Sequence, residues 1–180
     1  MINETEFISR LQDPLSKEAA FRELLQLYKE RLYWHIRKIV ITHDDADDVL
    51  QNTFIKVYRS IDKFKGDSKL YSWLYRIATN ESITHINKNA KRLQISNEEQ
   101  QTIAINNLTA DVYFEGDEIQ LKLQMAIATL PQKQQLVFNM KYFDDLKYKE
   151  IANILETSEG ALKASYHLAV KKIERFLTSD

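Results

Sequence analysis

Apolar residues recur at three- and four-residue steps through most of the chain, the signature of helices that bury one face. Between Glu18 and Val40 these positions are Phe21, Leu24, Leu25, Leu27, Tyr28, Leu32, Ile36 and Ile39, and the pattern ends near His43. Leu50, Phe54, Val57, Tyr58 and Ile61 repeat the spacing, with Asp44 and Asp45 placed to cap a second helix. The periodicity lapses over Phe64-Lys65-Gly66-Asp67-Ser68, whose composition is that of a loop. It resumes from Lys69 to Lys91, where Leu70, Trp73, Leu74, Ile77 and Ala78 share a face. Trp73 therefore reads as core.

Polar and acidic residues take over between Ile95 and Gly116, among them Asn97, Glu98, Glu99, Gln100, Gln101, Asn106, Asn107 and Asp111. Helical periodicity is poor there, and the pattern predicts a linker. It returns from Asp117 to Leu130, after which Pro131 ends one helix and can open the next. Three further apolar segments follow, Gln132 to Tyr142, Tyr148 to Leu155 and Glu159 to Leu177, separated by Phe143-Asp144-Asp145 and Glu156-Thr157-Ser158. The expectation is an all-α protein of two small helical domains, over 1–93 and 117–180, joined by an acidic linker over 94–116.

Composition narrows this. Three Gly and two Pro argue against turn-rich β architectures, and the lack of Cys excludes disulfides, thiolate metal sites and a cysteine nucleophile. Four scattered His, no Gly-rich phosphate loop and no cluster at metal-ligand spacing leave neither enzyme chemistry nor a metal or cofactor to expect. The beginning of the chain lacks the basic and apolar regions of a secretory signal, and no apolar run is long enough to span a bilayer. A cytoplasmic protein without membrane insertion is expected.

A net charge of −1 argues against tight binding to duplex DNA by the chain alone, since phosphate neutralisation requires a basic surplus. The distribution changes that picture. From Lys56 to Arg92 there are nine Lys or Arg against three acidic residues, whereas Leu93 to Leu121 holds six acidic residues and no Lys or Arg.

Tyr148 to Leu177 has the parts of a helix-turn-helix: a short helix, a tight turn and a second helix whose first half is free to enter a major groove. Ile151 and Leu155 would pack the first helix, Ala152 allows close approach, and Ser158 can cap the second. Leu162, Tyr166, Ala169 and Ile173 make a buried stripe, opposed by Lys163, His167, Lys171 and Arg175 at four-residue steps. A helical hairpin with a solvated basic face would share this pattern, and Glu156 stands where such turns frequently carry Gly.

The stretch Phe64-Lys65-Gly66-Asp67-Ser68-Lys69-Leu70-Tyr71-Ser72-Trp73-Leu74-Tyr75-Arg76-Ile77-Ala78-Thr79-Asn80 resembles the promoter-melting segment of extracytoplasmic-function sigma factors, small two-domain members of the sigma-70 family. Asp44-Asp45-Ala46-Asp47-Asp48-Val49-Leu50-Gln51-Asn52-Thr53-Phe54 is similar to that family's polymerase-docking helix, and Ser158-Glu159-Gly160-Ala161-Leu162-Lys163 to the start of its recognition helix. The three motifs stand in the family's order and spacing across nearly the whole chain.

The resemblance implies a factor that binds core RNA polymerase and directs promoter recognition, DNA melting and transcription initiation. Bases taken out of the stack need pockets and aromatic contacts, each worth roughly 1–3 kcal/mol. Phe64 and Tyr71 frame the loop expected to supply them, with Lys65, Asp67, Ser68 and Lys69. Beyond it Arg76, Asn80, Thr84, Asn87, Lys88, Lys91 and Arg92 give the next helix a polar face, where Asn80 and Asn87 can read base edges and the cations can hold phosphates. Ser158, Glu159, Gly160, Lys163, Ala164, His167 and Lys171 are the expected contacts to the upstream element.

Acidic residues at the start of a helix suit its dipole, and Asp44, Asp45, Asp47 and Asp48 alone would read that way. The resemblance instead implies that Asp47, Asp48, Gln51 and Asn52 meet the clamp helices of the polymerase largest subunit. It implies further partners in the flap of the second largest subunit and in an anti-sigma factor, soluble or membrane-bound. The acidic linker would pass through the polymerase active-site and RNA-exit channels. Thr84 and Asn87 stand where the family often has Asp and Arg, and Ser165, Leu168 and Val170 where Arg is frequent, which implies modest affinity for the upstream element. The competing reading is a conventional helix-turn-helix regulator whose first domain senses or dimerises. It leaves the loop at Phe64 to Ser68 and the polar face after Arg76 without a purpose.

Overall fold

Thr42 accepts a hydrogen bond from the Asp45 amide at 3.2 Å and so caps the helix that carries the acidic motif. Asp44 and Asp45, expected as caps, lie in its first turn instead, where their charge suits the helix dipole. This helix, α3 (His43–Ser60), packs with α2 (Lys17–Val40) and α4 (Leu70–Leu93). Their buried faces hold Leu24, Leu32, Ile36, Val49, Val57, Leu70 and Leu74, each contributing roughly 1.5–3 kcal/mol by burial. The computed structural model describes residues 3–114 and 117–178, and every regular element among them is helical. Met1, Ile2, Ser179 and Asp180 lie outside the described residues, as do Glu115 and Gly116 at the end of the expected linker.

Two helices were not legible in the pattern. The first, α1 (Glu4–Gln12), is capped by Asn3 and buries only Phe7 and Leu11. Its Gln12 side chain donates to the carbonyls of Ile61 at 3.0 Å and Phe64 at 2.8 Å, and its Glu4 carboxylate accepts from the Leu70 amide at 2.9 Å. Thus α1 braces both ends of the loop before α4. The second, α5 (Asn97–Thr109), occupies the segment expected as an irregular linker. Ser96 and Glu99 form a capping box, with Ser96 Oγ accepting from the Glu99 amide at 3.2 Å and Glu99 accepting from the Ser96 amide at 2.6 Å. Only Leu108 of this helix is buried, so its sequence carries almost no apolar stripe.

The remaining helices are α6 (Glu118–Ala128), α7 (Gln132–Tyr142), α8 (Tyr148–Leu155) and α9 (Glu159–Thr178). Ala126, Ile127, Leu130, Phe138, Ala169 and Ile173 form a small cluster among α6, α7 and α9. The larger core is continuous across the two halves: Val137, Met140, Leu146, Ile151, Ile154 and Leu162 join the cluster that contains Leu74, Tyr75 and Ile77. Contact of α8 with α4 and of α7 with α2 carries it from one half to the other.

Candidate nucleic-acid interface

The loop that leads into α4 turns at Gly66, whose φ of 77° lies in the region that favours a residue without Cβ. Lys65, Asp67 and Lys69 are exposed around it and Ser68 is half-buried. Phe64 does not project from this loop. It is 7% exposed, and its ring lies 5.0 Å from that of Trp73 at 40°. The expectation that it stacks on an unpaired base is corrected, because its backbone is tied to Gln12 and its side chain fills the core beneath the loop. Tyr71 is only partly buried.

Along α4 one face is buried through Leu70, Leu74, Ile77 and Ala78, with Thr79 and Ser82 returning their hydroxyls to the carbonyls of Tyr75 and Ala78. Further along the helix, past the stretch that packs most tightly, Asn80, Thr84, Asn87, Lys88, Lys91 and Arg92 are exposed. Carboxamides and cations on one exposed helical face can offer base-edge and phosphate contacts. Arg76 is different: it is half-buried, pairs with Glu156 at 3.0 Å and donates to the carbonyl of Asn153.

The turn between α8 and α9 places Glu156 at φ 51° and ψ 47°, the left-handed region, which is the physical reason that Gly is frequent there. Ser158 Oγ then accepts from the Ala161 amide at 3.3 Å. Leu162, Ala169 and Ile173 are buried on α9, with Tyr166 stacked 5.7 Å from Phe138. Ser158, Glu159, Gly160, Lys163, Ala164, His167 and Lys171 are all exposed.

On α3 the four acidic-motif residues Asp47, Asp48, Gln51 and Asn52 are exposed. Ile55 and Tyr58, 43% and 41% exposed, continue the same face. Ile55 was missed by the sequence reading. Its only signal was that it falls outside the buried stripe made by Leu50, Phe54 and Val57.

A set of polar contacts between the two halves was also missed. Asp144, in the turn after α7, accepts from His35 Nδ1 and from Lys38 Nζ, each at 2.9 Å, while His35 Nε2 meets Thr79 Oγ1 at 2.9 Å. Burial pushes the Asp144 carboxyl up, but His35 and Lys38 outweigh it and hold the group below the usual carboxylate range. Lys69 lies 3.5 Å from Glu150, which also bonds the Tyr71 hydroxyl. Burial, then this bond, pushes Tyr71 up to about 12. For Glu150, burial is outweighed by the Tyr71 hydroxyl, the Lys147 amide and Lys69, which hold its carboxyl low. Arg37 pairs with Asp111, and Trp34 lies 5.0 Å from Tyr113, fixing the segment after α5 on α2.

Among the described residues no helix is long and apolar enough to cross a membrane, and no group of three or more His, Asp or Glu could hold a metal ion. Two family models match the chain, Sigma-70 region 2 over residues 24–92 and Sigma-70, region 4 over residues 120–173. The ECF RNA polymerase sigma factor SigW of Bacillus subtilis is 31% identical, covering 82% of this chain and 83% of its own. The RNA polymerase sigma-H factor of Pseudomonas aeruginosa is 28% identical, covering 88% and 86%. Among solved structures, CnrH in complex with the cytosolic domain of CnrY superposes with a TM-score of 0.71 at 21% identity, over 98% of each chain. The sigma factor RpoE of Bartonella quintana in complex with the anti-sigma factor NepR gives 0.68 at 20% identity, over 89% of this chain and 98% of that one.

Proposed function

The chain belongs to the extracytoplasmic-function sigma factors of the sigma-70 family, and from that premise we propose how its surfaces divide the work of initiation. It is a sigma factor, which directs RNA polymerase to promoters and opens them. The chain itself catalyses no reaction, and it works in the cytoplasm, where polymerase and promoters are. Residues 1–93 dock on polymerase and melt DNA, 94–116 connect, and 117–180 read the upstream element.

The observation that carries this division is the separation of three exposed surfaces on three helices. On α4, Asn80, Thr84 and Asn87 face the downstream element, with Lys88, Lys91 and Arg92 on phosphates; Lys65, Asp67, Ser68, Lys69, Tyr71 and Arg76 form the melting segment before them. Ser158, just before α9, and Glu159, Gly160, Lys163, Ala164, His167 and Lys171 on it meet the upstream duplex. On α3, Asp47, Asp48, Gln51, Asn52 and Ile55 contact the polymerase clamp helices. The C-terminal half also meets the polymerase flap. Two solved structures of the same fold carry a bound partner, in one an anti-sigma factor by name, which supports an inhibitor of that class for this chain.

Run-off transcription with core polymerase, with and without the protein, tests the function. Asn80→Ala and Lys163→Ala separate the surfaces. Loss of a base-edge contact at Asn80, worth roughly 1–3 kcal/mol, should reduce open-complex formation while sparing closed-complex binding. A pre-melted bubble should partly restore it. Loss of Lys163 should weaken the closed complex and gain nothing from a bubble. Absence of any promoter-specific transcript with the wild-type chain would refute the function, and identical defects in both variants would refute the division.

A further inference from the structure

A cavity of about 350 Å3 lies where the end of α2, the last third of α4, α5, the α6–α7 connection and α7 meet, a volume within the range of small-molecule sites. Among the described residues none of its lining side chains carries a charge. Ile39, Ile86, Leu130 and Leu136 give it apolar walls, and carboxamides of α4, α5 and α7 supply the polar ones. Ile41 lines it too, at φ 73° and ψ −45°, in a tight turn where the Thr42 amide donates to the Val40 carbonyl at 2.9 Å. That conformation is costly for a β-branched residue, and such strain persists where the surroundings over-determine a position, functional sites among them.

Asn139 of α7 forms part of the wall and is 1% exposed. Neither the nitrogen nor the oxygen of its side chain has a hydrogen-bond partner among the described residues. A buried donor and acceptor left unmade cost free energy, and a group outside the chain that supplied both partners would recover it. Gln135, in the same wall, donates to the carbonyls of Ala128 at 3.3 Å and Leu130 at 2.7 Å, which leaves its oxygen as the acceptor it can offer. A charged ligand would lose its hydration here without meeting an opposite charge. A flat ring with a donor beside an acceptor would not, since a carboxamide pairs with such an edge through two bonds, as Asn does with the N6 and N7 of adenine.

We propose that this cavity is a binding site for an uncharged planar heterocycle of the purine type, and that Asn139 is the residue that reads its donor–acceptor edge. The apolar walls cover the ring faces, and the oxygen of Gln135 accepts from a further N–H or hydroxyl of the ligand. The site goes beyond the sigma-factor reading and does not depend on it.

Titration calorimetry of the full chain with adenosine tests the site. Two control ligands are N6,N6-dimethyladenosine, which has no N–H on that edge, and adenosine monophosphate, which adds charge. The wild-type chain should bind adenosine, and each control at least about ten-fold more weakly. Asn139→Leu replaces the carboxamide by an apolar group of similar shape. It should weaken adenosine about ten-fold and bind the two nucleosides alike, while its urea midpoint rises because an unpaired buried group is gone. Ala104→Phe, half-buried on the α5 wall, fills the cavity and should abolish binding with helical content unchanged by circular dichroism. No binding of adenosine by the wild-type chain, equal affinity for both nucleosides, or unchanged affinity in the two variants overturns the site. A lowered midpoint in Asn139→Leu overturns it as well, because the carboxamide then already has partners, ordered water among them, that serve the fold. All of these readouts are taken without polymerase or promoter, so their failure leaves the sigma-factor reading standing, and loss of run-off leaves the site standing.

Discussion

Phe64 offers a sharp test of whether an aromatic in the melting loop holds a base or holds the fold. Its ring is 7% exposed, packs 5.0 Å from Trp73, and sits on a backbone whose carbonyl accepts from Gln12 at 2.8 Å. Phe64→Ala removes the ring from a continuous core and should cost about 3–5 kcal/mol in unfolding free energy, a large part of the roughly 5–15 kcal/mol total of a typical domain. Phe64→Leu keeps apolar volume and should cost less than about 1.5 kcal/mol. If the ring is structural, the Leu variant opens promoters as the wild type does once both are folded. A base-stacking role predicts the reverse, a loss of roughly 1–3 kcal/mol in open-complex formation, from five-fold to more than a hundred-fold, for either substitution. Urea titration followed by circular dichroism measures the first quantity, and permanganate reactivity of unpaired thymines measures the second. A Leu variant with wild-type stability and a large melting defect would refute the assignment of Phe64 to the core.

Reversing the charge at Asp47 and Asp48 to Lys should weaken association with core polymerase while leaving helical content intact, because both side chains are exposed on α3; unchanged affinity would return them to a helix-terminus role. Tyr75 is 1% exposed, and burial first, then the Asp144 carboxylate, pushes it from 10.0 up to about 12 against the opposing pull of Arg31. A raised value favours the folded state below pH 10.0, and that contribution, on the order of 3 kcal/mol, is lost as pH rises toward about 12. The urea midpoint should therefore fall across this window, and less steeply in Tyr75→Phe; equal slopes would contradict the assignment.

The helices that bury a clear stripe were legible in the sequence almost to their ends, as at α2, α4, α7, α8 and α9. Those that bury little were not. Leu108 is the sole buried residue of α5, which starts through the local chemistry of Ser96 and Glu99 rather than through an apolar face. Phe64 looked like a surface aromatic because Gly66 and Asp67 beside it read as a loop. The ring turns inward against Trp73 of α4, on a backbone that Gln12 of α1 holds, and α1 is too sparse in apolar residues to stand out in the sequence. The exposed surfaces were named from a resemblance to a family, since solvent-facing residues carry no packing signal. His35 and Asp144 lie 109 positions apart, and no local pattern could pair them.

Their pairing changes what the charge distribution means. Nine cations between Lys56 and Arg92 against three acidic residues looked like a standing basic surface, but Lys56 pairs with Glu81 at 2.6 Å, while Lys69 and Arg76 face α8. The cations left exposed on α4 are Lys88, Lys91 and Arg92 near its end. Phosphate affinity grows with the number of charges neutralised, so a segment in which Lys56, Lys69 and Arg76 already pair with carboxylates offers fewer free charges to DNA than its composition implies.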